Sequence, residues 1–149
     1  MARSDFAFST PLRVRWAEID AQNIVFNARY LDYADIAVTE YWEAADAHAG
    51  QDKPLEFNVA RSTINYRKPI RAREKLDLFI RIARFGTTSM THAIEIHGAD
   101  ADGDDLRAEI ELISVHVDLS TGRPQPIPDS FKQRFARFDE RAARIDERA

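Results

Sequence analysis

One segment of this chain leaves little choice about how it must be buried. Between residues 27 and 47, Leu31, Ala34, Val38, Tyr41 and Ala45 recur at helical spacing, and Tyr30, Tyr33, Ala37 and Ala44 widen that stripe. Arg29, Asp32, Asp35, Thr39, Glu43 and Asp46 form the opposite, polar side. A helix apolar over so much of its circumference has to be enclosed by the rest of the fold. At about 1.5 Å per residue it would run roughly 30 Å, the width of a small domain. Asn27 can cap its start by accepting from orphan backbone N–H groups. Gly50 follows its end, where a stop is expected.

The flanking segments read as strands able to supply that enclosure. Leu12, Val14 and Trp16 alternate with Arg13 and Arg15, the period-2 pattern of a half-buried strand. Residues 57–66 read as a second strand, stopped by Arg67-Lys68-Pro69. Leu76, Leu78, Ile80 and Ile82 alternate to give a third, broken by Gly86; residues 88–97 give a fourth. Asp102-Gly103 is a hairpin signal before a fifth strand at 106–118. In that strand the apolar phase slips between Leu112 and Ile113, which points to a β-bulge or to cover on both faces. A last helix carries Phe131, Phe135, Phe138, Ala142 and Ile145 on one side, placed to pack on the domain or on a neighbouring subunit. The order strand, long helix, four strands, helix predicts an α+β fold in which one antiparallel sheet wraps the first helix. The 149 residues make a single domain, 1–149.

Several kinds of chemistry are excluded. The chain has no cysteine, so disulfides, thiolate nucleophiles and sulfur-based zinc sites are ruled out, in keeping with a cytoplasmic protein. Residues 1–10 hold no apolar run long enough for a secretory leader, and no stretch suits a membrane span. The glycine-rich nucleotide motifs and the serine nucleophile elbow are missing. His48, His92, His97 and His116 show no metal-ligand spacing on a helix, and His92 and His97 fall on opposite faces of one strand. All four read as structural or surface residues. A net charge of −4 argues against a general nucleic-acid binder. That charge is uneven, however. Residues 61–84 hold eight Lys/Arg against two Asp/Glu, a local +6, so the rest of the chain sums to −10. A basic middle suits an anionic ligand, or else a set of solvated strand faces.

What remains is the polar stretch before the long helix. Glu18 and Asp20 stand just ahead of it, where free N–H groups and the positive end of the helix dipole favour negative charge. A carboxylate there can act as general base or nucleophile while backbone N–H groups hold an oxyanion. Acidic residues in such places also serve simply as caps. In an extended segment Glu18 and Asp20 would share a side, and Glu18 would then either raise the pKa of Asp20 or pair with Arg13 or Arg15.

The run Trp16-Ala17-Glu18-Ile19-Asp20-Ala21-Gln22-Asn23-Ile24-Val25-Phe26-Asn27-Ala28-Arg29-Tyr30-Leu31 resembles the signature of the 4-hydroxybenzoyl-CoA thioesterase-like branch of the hotdog superfamily. Asn65-Tyr66-Arg67-Lys68-Pro69-Ile70 is similar to that family's Tyr-x-x-Pro turn, and Gly86-Thr87-Thr88-Ser89 and His116-Val117-Asp118 continue the likeness in order. The resemblance implies a hotdog fold, dimers that pair their sheets and active sites at the dimer interface. It implies hydrolysis of acyl-CoA thioesters without metal or prosthetic group, CoA being part of the substrate. The family's catalytic Asp falls on Asp20 and its oxyanion-binding backbone N–H on Asn27. Two residues depart from the pattern. Asn23 replaces a Gly, which Asn can do because it tolerates positive φ. Ile19 replaces the Thr before the catalytic Asp.

Around that centre, Tyr30 and Tyr33 are candidates for an acyl pocket or for core. Arg67, Lys68, Arg71, Arg73 and Arg84 are candidates for CoA phosphates, since guanidinium groups grip phosphate bidentately. The expected partners are acyl-CoA and further copies of the chain, as homodimer or homotetramer. Two other functions fit the same fold: a dehydratase acting on carrier-protein substrates, whose His-Phe-Pro motif is missing here, and a non-catalytic acyl-thioester binding module.

Overall fold

The computed structural model describes residues 3–148, with side chains to residue 140. Strand β1 is Phe8–Arg13 and helix α1 is Arg29–Ala45. Strands β2 (Phe57–Tyr66), β3 (Lys75–Phe85), β4 (Ser89–Gly98) and β5 (Leu106–His116) follow, and helix α2 is Asp129–Arg148. The strands form one antiparallel sheet in the order β1-β3-β4-β5-β2. β3, β4 and β5 connect as a meander. β2 crosses to the far edge because α1 stands between it and β1.

The sheet wraps α1 as the apolar circumference requires. Tyr33, Ala34, Ala37 and Tyr41 are buried against Leu76, Leu78 and Ile80 of β3 and Ile94 and Ile96 of β4. Alanines at 34, 37 and 45 keep the contact surface flat, and the tyrosines fill the space at either end. Each fully buried Leu or Ile contributes about 1.5–3 kcal/mol relative to exposure. The second helix closes the open side. Phe131 and Phe135 are fully buried, and with Tyr41, Trp42 and Phe57 they make a continuous aromatic cluster with centroids 5.1–5.8 Å apart. Phe138 sits at its edge, 5.8 Å from Phe8. Helix α2 therefore packs on its own domain. Ala142 and Ile145 lie outside the described side chains.

Local structure departs from the sequence reading at four points. Trp16 is not a strand residue: β1 stops at Arg13, residues Trp16–Glu18 form a 3-10 turn, and Trp16 is 78% exposed. Asn27 does not cap α1; Ala28 holds that position, with no side-chain cap. The helix ends two residues early, because Asp46 takes the left-handed conformation (φ 51°) and its N–H turns back to the Trp42 and Glu43 carbonyls. No bulge marks Leu112–Ile113. Strand β5 keeps one inward phase through Ala108, Ile110, Leu112 and Ser114, with Ile113 and Val115 half-buried on the other face. The irregularity opposite lies in β2, between Val59 and Arg61.

The histidines all have structural partners. His92 is buried beneath α1 and its Nε2 accepts the Trp42 indole N–H at 3.0 Å. His97, on the other face of β4, pairs with Glu95 at 2.9 Å, and its Nδ1 accepts the Asp105 N–H. His48 accepts the Leu55 N–H, and His116 lies 3.1 Å from the Pro126 carbonyl.

Candidate active site

The site begins at Glu18. Its carboxylate accepts the Arg15 backbone N–H at 2.8 Å, the Arg15 guanidinium at 2.8 and 3.1 Å, and the Tyr33 O–H at 3.0 Å. Only 4% of the residue is exposed. Burial alone would push its pKa up, but these hydrogen bonds outweigh that and hold it below the usual carboxylate range. Burial first, and then the Glu18 charge, drive the Tyr33 phenol far above its ordinary value. The pair is thus a fixed anion and a fixed neutral phenol. Glu18 turns into the body and does not share a side with Asp20, because the 3-10 turn replaces the extended backbone on which that expectation rested.

From this anchor the chain makes a tight loop. The Phe26 N–H donates to the Glu18 carbonyl, and the Asp20 N–H donates to the Ile24 carbonyl, both at 2.9 Å. The Asn23 N–H returns to the Asp20 carbonyl at 2.9 Å, with Asn23 at φ 64°. That is the left-handed conformation its Gly-to-Asn replacement had to accommodate. The Gln22 N–H donates to Asp20 Oδ1 at 2.8 Å, an Asx turn that sets the orientation of the carboxylate. The Val25 N–H ties the loop to the Ile70 carbonyl at 2.8 Å.

Beside the loop lies an open cavity of about 370 Å³. Asp20, Asn27, Tyr30, Arg67 and Lys68 all line it, so five of the residues singled out in the sequence meet in one place. Gln22, Ile24, Val25, Phe26, Tyr66 and Pro69 complete the wall. At the start of α1, the N–H groups of Asn27 and Ala28 find no acceptor among the described residues. The cavity therefore presents a half-buried carboxylate with one oxygen held by Gln22, on the same wall as Asn27 at the helix start. Asp20 can take a proton or attack an electrophilic carbon there, and the N–H groups can receive a developing negative charge. Among the described residues, no three His, Asp or Glu side chains gather as metal ligands.

The remaining candidates are dispersed. Tyr33 is core, held by Glu18. Arg71 stands beside the cavity wall, its backbone bridged to Ile24, with its side chain exposed. Arg73 occupies the same turn at φ 65°. Arg84 lines a separate groove with Phe85 and Lys132. Folding also neutralises part of the basic segment: Arg67 pairs with Glu109 and Lys68 with Asp105, each at 2.8 Å.

Arg107 organises that wall, and sequence reasoning did not single it out. Its guanidinium bonds Glu74 at 2.7 and 2.8 Å, Asp105 at 2.8 Å and the Pro69 carbonyl at 3.1 Å. Its own carbonyl accepts the N–H groups of Arg67 and Lys68. Arg107, with Lys68 second, holds the Asp105 carboxyl at about 2. No local pattern announces this role, because Glu74 lies 33 residues away. Tyr66 and Gln22 were likewise missed as wall residues, although Tyr66 heads the Tyr-x-x-Pro turn.

Residues 14–135 match the model of the thioesterase-like superfamily, and the chain belongs to that family. Its sheet-wrapped helix is the hotdog fold of thioesterases. The acyl-CoA thioester hydrolase YbgC of Escherichia coli O6:H1 is 27% identical over 132 residues, covering 86% of this chain and 95% of the relative. Among solved structures, PA5185 from Pseudomonas aeruginosa superposes with a TM-score of 0.79 at 22% identity, over 93% of this chain and 95% of that one. A Thermus thermophilus thioesterase complexed with coenzyme A and Zn gives 0.75 at 23% identity, over 91% and 96%.

Proposed function

We propose that the protein hydrolyses acyl-CoA thioesters to the free acid and CoA, with Asp20 as the catalytic carboxylate. The observation that carries this reading is the meeting of Asp20 with Asn27, whose N–H finds no acceptor among the described residues, on one cavity. The family assignment and the activity named for the E. coli relative support it. The thioester carbonyl oxygen faces the Asn27 N–H, which stabilises the oxyanion as the tetrahedral intermediate forms. Asp20 either deprotonates a water that attacks the carbonyl carbon, or attacks that carbon itself. In the first route the C–S bond breaks directly to acid and CoA thiol. In the second, CoA thiolate leaves from an acyl-aspartyl anhydride, and water then hydrolyses the anhydride. Tyr30 lines the acyl side, and the basic residues near the 67–71 turn face the CoA phosphates.

The functional unit in this reading is a homodimer or homotetramer. Strand β2 is an edge strand ten residues long with one side unpaired, a feature that proteins cover. Exposed Val59 and Tyr66 lie on it, and exposed Phe26 borders the same open cavity.

The test is Asp20→Asn, read by thiol release from a panel of acyl-CoA esters. The change is nearly isosteric and removes the proton-accepting charge. The chemical step should fall by about 10²–10⁴ with KM little changed. A folded variant with wild-type kcat would end the assignment, and a wild-type protein that binds CoA esters without turnover would make this a binding module.

A further inference from the structure

We propose that Tyr66 is a positioning residue for this reaction: its phenol grips the Asn27 carbonyl and so steadies the start of α1, where the Asn27 N–H meets the thioester oxygen. The inference rests on the reading of the helix start as the oxyanion site. Tyr66 closes β2, and its O–H donates to the Asn27 carbonyl at 3.0 Å, across 39 residues of sequence. The carbonyl of residue 27 and the N–H of residue 28 belong to one planar unit. Holding the first therefore holds the second. The only other donor to that carbonyl among the described residues is the Tyr30 N–H at 3.4 Å, beyond the ordinary range for such a bond. The phenol is thus the shorter and firmer constraint.

The clamp is itself held from two sides. The Tyr66 ring meets the Tyr30 ring edge to face, with centroids 4.8 Å apart and planes at 73°. Tyr30 is buried in the first turn of α1, so the ring contact fixes the phenol against the helix it restrains. The next residue, Arg67, donates its N–H to the Arg107 carbonyl at 2.8 Å, which roots the strand end in the sheet. Helix α1 starts without a side-chain cap, and the N–H groups of Asn27 and Ala28 meet no acceptor among the described residues. An uncapped first turn would otherwise fray. Tyr66 supplies the restraint through a carbonyl and leaves the donors available to substrate, which a side-chain N-cap would not do. Its ring also lines the cavity that Asp20 faces.

Tyr66→Phe removes the oxygen and keeps the ring contact, and it should lower kcat about two- to tenfold with KM within twofold. The melting temperature should stay within a few degrees of wild type. Independently of turnover, the backbone amide resonance of Ala28 in a ¹⁵N–¹H spectrum should shift, because its own peptide carbonyl loses its acceptor role. Tyr66→Leu, which also deletes the ring, should lower kcat further and reduce stability. A Tyr66→Phe variant with wild-type kcat, measured where Asp20→Asn is inert, overturns the role of Tyr66 and leaves the proposed function standing. A fall in melting temperature that accounts for the whole activity loss, or an unmoved Ala28 amide, overturns it too. Wild-type protein inert on every ester overturns the parent reading and this one with it.

Discussion

His92 makes the acid stability of the fold measurable at one residue. It is 1% exposed, and its Nε2 accepts the Trp42 indole proton, which places the ring proton on Nδ1. That Nδ1 has no hydrogen-bond partner among the described residues. Burial lowers the imidazole pKa from 6.5 to about 4, since no partner compensates a charge there. The folded-state pKa thus lies below the unfolded one, and between the two values the unfolded chain binds the extra proton. Stability is complete above about pH 6.5, falls as pH drops, and stops falling on this account below about pH 4. At about 1.4 kcal/mol per pH unit in that window, the loss amounts to about 3 kcal/mol. Urea unfolding of wild type and His92→Gln at intervals from pH 7 to pH 4 isolates it. Gln keeps an acceptor for Trp42 and does not titrate, and the carboxylates common to both proteins cancel in the difference. Wild type should lose about 3 kcal/mol more than the variant over that range. Parallel curves would show that the imidazole is solvated or paired in solution, and the placement of His92 beneath α1 would be refuted.

Glu18→Ala should cost about 1–3 kcal/mol, because it strands the buried Tyr33 hydroxyl and frees the 15–18 turn; thermal or urea unfolding at wild-type stability would contradict its role as the anchor of the Asp20 loop. For CoA recognition, Arg71→Ala should raise KM for acyl-CoA several-fold with little change in kcat, while Arg84→Ala should leave it unchanged, since only Arg71 adjoins the cavity. Equal effects of the two substitutions at moderate salt would reduce the basic segment to a general electrostatic field.

What was legible in the sequence is what local periodicity encodes. The helical spacing of Ala34, Tyr41 and Ala45, widened by Tyr33 and Ala37, placed α1 and most of its buried side, although Leu31 and Ala44 of the same stripe are exposed; the alternation of Leu76, Leu78 and Ile80 placed β3. Both patterns repeat over several turns or pleats, so no distant contact is needed to read them. Trp16 misled because Leu12, Val14 and Trp16 also alternate. There the reciprocal bonds between Arg15 and Glu18 curl the backbone after Val14 and throw the indole into solvent. The end of α1 was misjudged for a related reason: Asp46 adopts the left-handed conformation normally left to Gly, four residues before Gly50, the expected stop.

The site divides along the same line. Asp20 and Asn27 sit within one loop, so a short motif could bring them forward, and the Asx turn to Gln22 is as local as a helix cap. Electrostatics could not be read this way. The +6 of residues 61–84 counts Arg67 and Lys68 as free cations, yet each is held by an acid about 40 residues away. Glu74, counted within that segment, turns to Arg107 instead. What faces solvent near the cavity is therefore a smaller and differently placed charge than the sequence suggests. Arg71 and Arg73, both exposed on the turn after Ile70, have no ion-pair partner among the described residues. An incoming phosphate would meet those two guanidinium groups without first displacing a carboxylate, whereas Arg67 or Lys68 would have to give up Glu109 or Asp105. That exchange removes much of the gain from a new charge pair. The turn at 71–73, rather than the cavity-lining pair at 67–68, is where the structure leaves cationic capacity for a CoA-like anion.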